Sequence, residues 1–190
     1  ENPEKVIIRN QLNQFTKDFE SMYARTGKMD QQYIIPVVIH VIHEYGNENI
    51  SDEQITNGIQ LINEDFNAAN NDIVDVISEF SDIVANFGVE FRLATIDPDG
   101  NCTHGITRTA SPLTDGQDGA VKNLIAWPQE NYVNIYVIKN MSPGSSAAAY
   151  ANYPGAGDPI DGIVCLHNYF GSGVGTSNGG NWTRHTLPHE

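Results

Sequence analysis

The residues best suited to chemistry stand at the end of the chain, in Thr186-Leu187-Pro188-His189-Glu190. An imidazole can bind a metal ion through a ring nitrogen, and an adjacent carboxylate can take a proton from a metal-bound water. Such a pair works from a helix, where a second histidine four residues on would share the first one's face. A His-Glu pair alone is common and specifies little, so its setting matters. Pro188 is tolerated only in the first turn of a helix, and Thr183 or Thr186 could cap a helix starting just before His189. The pair therefore opens a helix directly after the Gly-rich stretch 171–181.

The other histidines lack chelating spacing. His40 and His43 lie three apart on an expected strand and face opposite sides, so one is expected to be packed and the other exposed. His104, His167 and His185 are isolated, and His185 reads as a satisfied loop residue. Asp97-Pro98-Asp99-Gly100-Asn101 is similar to the first half of a calcium loop but has no distal glutamate, and a tight turn accounts for the same residues. Four Asn-x-Ser/Thr sequons, beginning at Asn49, Asn101, Asn140 and Asn181, are unremarkable in an Asn-rich chain. Cys102 and Cys165 have no CxxC spacing, and the sequence does not decide whether they pair.

These residues need a scaffold, and the first strong element is Ile34–His43, a continuous β-branched run of the kind found in strands covered on both faces. Ser51 and Gln54 then read as a capping box, and Ile55, Ile59, Ile62 and Phe66 form one apolar helix face that fades near Asn70. Further strands are expected at Val89–Ile96, Gly105–Thr109, Val133–Ile138 and Gly162–His167, with a short extended piece at Ala147–Ala151 and a short helix or turn at Ala120–Ala126. Residues 142–157 are rich in Gly, Ser, Ala and Pro and read as a loop. Before all this, residues 1–32 hold a weak helical stripe of Val6, Ile7, Leu12, Phe15, Phe19 and Met22, ended by Gly27 and Lys28. It reads as a leading arm, a pro-segment remnant or an ordinary packed helix.

A strand followed by a long amphipathic helix is an α/β opening. The 190 residues suit one domain, and the net charge of −14 opposes binding to phosphate backbones. No stretch approaches the roughly 18 consecutive apolar residues of a membrane span. Neither nucleic acid nor membrane is expected as a partner. The chain starts at Glu1 without a leader, so a leader has been removed or the sequence begins inside a longer protein.

IPVVIHVIHEYGNENISDEQITNGIQLINEDFNAAN, residues 35–70, resembles the opening of the pappalysin (cytophagalysin-like) family of metzincin zinc metallopeptidases. Further pieces follow in the family's order: VEFRLA at 89–94, Gly105-Ile106-Thr107-Arg108, NIYV at 134–137, Asp161-Gly162-Ile163-Val164, Tyr169-Phe170-Gly171 and finally Thr186-Leu187-Pro188-His189-Glu190. The resemblance covers roughly residues 34–190. It implies a metzincin-like N-terminal subdomain, with a twisted, mostly parallel sheet, a backing helix and the start of the active-site helix. Residues 1–33 would be the leading arm or pro-segment remnant. It also implies an HExxHxxGxxH motif with a Met-turn downstream. In that motif His189 is the first zinc ligand and Glu190 the general base, while the remaining ligands would lie past Glu190. One histidine cannot hold a catalytic zinc, which takes three protein ligands. The 190-residue chain alone is therefore expected to be inactive, as a truncated form of a secreted or cell-surface zinc metalloendopeptidase. Structural calcium is also implied, chiefly in the missing part. Peptide substrate would pair with an edge strand, either Ala147–Ala151 or Gly162–His167. The alternatives are a non-catalytic extracellular binding domain on the same fold and a structural or inhibitory fragment.

Overall fold

The computed structural model describes residues 3–26, 33–152 and 161–190. Its elements, in chain order, are α1 (Pro3–Thr26), β1 (Tyr33–His43), α2 (Asp52–Phe66), α3 (Ser78–Ser81), β2 (Val89–Leu93), β3 (Ile106–Ala110), α4 (Asp118–Val121), β4 (Val133–Ile138), β5 (Ala149–Ala151), β6 (Ile163–Leu166), α5 (Asn181–Arg184) and α6 (Thr186–His189). The expected ends of the stripe at Gly27 and Lys28, and residues 153–157 of the expected loop, lie outside the described residues.

The sheet follows the order β2-β1-β4-β6-β5, with β3 also pairing β1. Every pairing is parallel except β5 with β6. β1 is an interior strand, flanked by β2 and β3 on one side and β4 on the other, and its residues from Val37 to His43 are all buried, as a β-branched run without polar alternation requires. Its first half pairs β2 through Tyr33–Val37, and its second half pairs β3 through Ile39–His43, so two short strands lie end to end along one edge.

The odd-numbered residues of β1 face α2. Val37, Ile39 and Val41 join Ile135, Val137, Cys165 and Ala149 in a core closed by Ile55, Ile59, Ile62, Phe170 and Leu187. The even-numbered side packs Ile42, Tyr136, Ile138 and Val164 against Val121, and Val38 against Trp127. α2 and the segment that carries Leu187 therefore share one face of the sheet. On the exposed α1, Ile7, Leu12 and Phe15 are solvent-facing. Cys102 is exposed, Cys165 is buried, and both are free.

Several local expectations change. Both β1 histidines are buried, because Tyr45 covers His43 edge-on at 5.0 Å and its N–H donates to His43 Nδ1. Ser51 caps α2 by accepting from the Gln54 N–H at 3.2 Å, but the Gln54 side chain does not return to Ser51. It is buried and turned the other way, toward the loop after β6. α2 ends at Phe66, where the Asn67 N–H closes onto the Asn63 carbonyl.

Candidate active site

The segment that carries His189 and Glu190 leaves β6, turns through His167–Tyr169 and runs along the Gly-rich stretch into α5 and α6. A loop of so many glycines has no stiffness of its own, and side chains from α2 fix it. Gln54 Nε2 donates to the carbonyls of His167 (2.7 Å) and Phe170 (2.9 Å), and its Oε1 accepts from the Thr176 N–H (2.8 Å). Asn57 Oδ1 accepts from the Ser172 N–H at 2.9 Å. The glycines permit this closeness: a Cβ at Gly175 would stand 2.4 Å from Gln54 Oε1, and one at Gly171 2.8 Å from Asn57 Oδ1. Gly58 serves the same end, since a Cβ there would meet the Phe170 ring at 2.4 Å.

A charged cluster fixes the far end of the loop. Arg184 donates to Glu64 at 2.5 Å. His185 presents Nδ1 to Asp65 and Nε2 to Asp72, both at 2.6 Å. Carboxylate oxygens only accept, so both ring nitrogens donate and the ring is an imidazolium. Its pKa is raised, because the two carboxylate hydrogen bonds outweigh the lowering by burial. The Asp72 carboxyl falls to about 2, held down first by the Asn70 amide and then by His185. His185 is thus satisfied, as expected, but it sits at a helix junction and acts as a clamp. Sequence reasoning missed that role, since its partners lie 113 and 120 residues away.

The expected threonine caps are not formed. Thr183 and Thr186 lie inside the helical turns, and their hydroxyls donate to the carbonyls of Asn178, Gly180 and Trp182. The segment turns helical already at Asn181, so both threonines stand within helical turns rather than before one. Pro188 stands in the first turn of α6, where a missing N–H is harmless. The His189 N–H donates to the His185 carbonyl at 3.1 Å, so the clamp and the candidate ligand share one turn.

His189 and Glu190 are both exposed at the end of α6. His189, Pro188 and His185 line a mostly apolar hollow with Asp65, Phe66 and Phe87. Among the described residues no group of three His, Cys, Asp or Glu side chains could hold a metal ion. The described residues therefore form no complete metal site, and His189 and Glu190 remain the candidate pair expected from the sequence. The calcium reading of Asp97 also lapses, because Asp97 Oδ1 accepts from the N–H groups of Asp99 and Asn101 and so closes the turn itself.

Above this segment the structure decides which strand is the edge. Among the described residues, β6 is interior, between β4 and β5, and β5 is the margin of the sheet. The Leu166 N–H donates to the Ala148 carbonyl at 2.9 Å, which makes Ala148–Leu166 a bonded pair. Bonded and non-bonded pairs alternate in an antiparallel ladder. The N–H and C=O groups of Ala149 and Ala151, opposite Cys165 and Ile163, therefore point away from β6 toward the open edge. Leu187 shares a core cluster with Ala149 and Cys165. Burial raises the Cys165 thiol pKa, and the Glu190 carboxylate adds to that rise. Leu187, three residues before Glu190, packs in the core on the α2 face of the sheet.

No protein-family model and no curated protein matches the chain. Solved structures do. The chain is 34% identical to mature mirolysin of Tannerella forsythia in complex with a cleaved peptide, covering 80% of this chain and 60% of that one with a TM-score of 0.69. It is 33% identical to mirolysin in complex with compound 9, covering 83% and 61% with a TM-score of 0.72. It is 32% identical to a Tannerella forsythia promirolysin mutant, covering 93% and 62% with a TM-score of 0.69. The chain thus spans about 60% of the length of the mirolysin chains it matches. A mostly parallel sheet backed by helices, with this likeness to a metzincin-type metallopeptidase, gives the chain a metzincin-like fold and supports its place in the metzincin family.

Proposed function

We propose that the chain is the N-terminal subdomain of a secreted or cell-surface zinc metalloendopeptidase, residues 34–190, preceded by a leading arm or pro-segment remnant at 1–33. The ordered motifs from Ile35 to Glu190 favour the pappalysin-like branch. The observation that carries this reading is the placement of His189 and Glu190. They are exposed on a clamped helical turn that packs through Leu187 into the same core as Ala149, whose backbone groups face an open sheet edge.

An extended peptide would pair with Ala149 and Ala151 as an added strand. His189 would hold zinc together with ligands from a continuation of the chain past Glu190. Bound there, zinc would supply a polarised water. Glu190 is adjacent in sequence to the ligand and is the group that would accept the water's proton. The Arg184–Glu64 and His185–Asp65–Asp72 contacts hold the turn so that both side chains keep their aim. Likeness to the promirolysin mutant covers more of this chain than likeness to the mature form, 93% against 80%, and this favours the pro-segment reading of the arm.

The test uses the protein extended past Glu190, with zinc content and casein digestion as readouts. Glu190→Gln keeps shape and loses the basic oxygen, so activity falls by about two to four powers of ten while zinc stays near stoichiometric. His189→Ala loses both. Retained activity in the Gln variant, or loss of its zinc, would overturn the assignment. The 190-residue chain alone neither binds zinc tightly nor cleaves casein.

A further inference from the structure

Among the described residues, β5 has three residues and one neighbouring strand, β6. A strand that short, bonded along one side, frays unless its side chains hold it. Ala149 and Ala151 offer only methyl groups, so Tyr150 is its one large side chain. Successive side chains alternate across a sheet. Ala149 accordingly lies in the core on the α2 face, and Tyr150 packs on the opposite face beside Val121, Tyr136 and Val164.

α4 stands on that opposite face. Lys122, the residue after its last turn, is only 5% exposed, which is unusual for a lysine. Its Nζ lies 5.3 Å from the centre of the Tyr150 ring and donates to the Gly162 carbonyl at 2.8 Å. Gly162 directly precedes Ile163, the partner of Ala151 in the ladder. Four residues before Lys122, on the same side of the helical turn, the Asp118 carboxylate accepts from both the N–H and the hydroxyl of Ser142. Ser142 lies in the stretch that joins β4 to β5. One helical turn thus holds the approach to β5, its only large side chain and the start of its partner strand. Hydrogen bonds to charged groups are strong and directional, so they fix distances that apolar packing would leave free to slide. Val121 and Leu187 pack on opposite faces of the sheet, so α4 lies across the sheet from the turn that carries His189 and Glu190.

We infer that Asp118 and Lys122 are positioning residues for the peptide-binding edge: they hold β5 in line with β6, so that the outward N–H and C=O groups of Ala149 and Ala151 are already spaced for an incoming strand. The inference rests on the edge pairing proposed above. Without the bracket, each binding event must first straighten β5, and preorganisation is lost. The chemistry on a bound peptide is unaffected, so KM rises while kcat holds. The first measurement is amide hydrogen exchange in the 190-residue chain. The Tyr150 N–H belongs to a bonded pair with Val164, by the alternation that starts at Ala148–Leu166. In Lys122→Met and in Asp118→Ala it exchanges roughly tenfold faster or more, while the Tyr136 amide in β4 is unchanged. Lys122→Arg and Asp118→Asn, which keep a cation and an acceptor, restore most of the protection.

The second measurement is cleavage of an extended peptide by the protein continued past Glu190. In the Met and Ala variants KM rises by about tenfold, the size expected of a lost hydrogen bond to a charged group, and kcat stays within about twofold. A peptide N-methylated at the amides that pair with β5 is a poor substrate whose KM the variants do not change further. The third uses the same protein carrying Glu190→Gln, where the intact peptide slows exchange of the Ala149 and Ala151 amides, and more of it is needed in Lys122→Met. Unchanged Tyr150 exchange would overturn the bracket. Faster exchange at Tyr136 as well, or kcat falling in step with the rise in KM, would reduce both residues to general stability and overturn their positioning role. An unchanged KM, or no slowing at Ala149 and Ala151, would do the same. Slowing that depends on Lys122, with no cleavage by any form, would overturn the peptidase reading and leave the bracketed edge standing.

Discussion

His40 and His185 are each held at both ring nitrogens, yet they end in opposite charge states. His40 is buried in β1, where Thr107 Oγ1 lies 2.7 Å from Nδ1 and Asn134 Oδ1 lies 2.9 Å from Nε2. The Asn134 oxygen only accepts, so Nε2 carries the proton and Nδ1 accepts from the Thr107 hydroxyl. Burial lowers this pKa to about 4, although the Asn134 bond opposes the shift. His185 has carboxylates in the same two places and is driven the other way. The partners, not the residue type, set the charge. The two networks also differ in completeness. Asn134 closes its own by accepting from the Trp127 N–H and donating to the Trp127 carbonyl. Around His185, Asp65 Oδ1 and Arg184 Nε are buried without a hydrogen-bond partner. The sheet side is a finished structural joint; the helix side is held mainly by charge.

The largest effect should come from opening the finished joint. Asn134→Ala leaves His40 Nε2 and both Trp127 backbone groups without partners, at about 1–3 kcal/mol each before relaxation. A loss of roughly 3–5 kcal/mol in urea unfolding is expected, and a loss under about 1 kcal/mol would break the contrast drawn here.

The pH dependence sharpens the comparison. His40 binds its proton more weakly when folded, so its contribution is complete above pH 6.5 and declines as pH falls toward about 4. A shift of that size corresponds to about 3 kcal/mol across the window. His185 has a raised pKa, so its contribution is complete below 6.5 and fades as pH rises through its folded value. Urea midpoints measured from pH 4.5 to 8.5 should fall on the acid side in the wild type. His185→Gln should remove the alkaline decline and leave the acid one. If His185→Gln flattened the acid side instead, the two charge assignments would be reversed.

At neutral pH, His185→Gln should cost about 1–2 kcal/mol, a discounted value because the ring is partly exposed. The smallest expected change is Ser51→Ala at the α2 cap, about 1 kcal/mol, with the helix intact by circular dichroism.

The sequence revealed most where its signals are local. The run Ile34–His43, the face Ile55, Ile59, Ile62 and Phe66, and the Ser51 cap each follow from neighbouring residues, and each is present. The choice of edge strand could not be read, because strand order depends on how the chain crosses between β4, β5 and β6. Gln54 was misread for a related reason: its spacing from Ser51 fits a capping box, while its real partners are 113 to 122 residues away. His189 and Glu190 could be named as candidates only through their setting and the ordered family motifs. The clamp that holds them was invisible, since it joins residues far apart in the chain.

The end-to-end arrangement of β2 and β3 along β1 has a practical use. The chain leaves the sheet at Ala94, whose N–H donates to the Val37 carbonyl at 2.9 Å. It returns at Gly105, whose carbonyl accepts from the Ile39 N–H at 2.8 Å. The two ends are so close that a Cβ on Gly105 would stand 2.6 Å from the Ala94 nitrogen. The excursion between them, residues 95–104, is thus a nearly closed ring hung on the side of the sheet opposite β5. Lengthening such a ring adds little closure entropy, about 0.6 kcal/mol per doubling. A fluorescent peptide tag or affinity handle inserted at Asp99-Gly100 should leave the register of β1 unchanged and keep the tag at the margin opposite the candidate cleft.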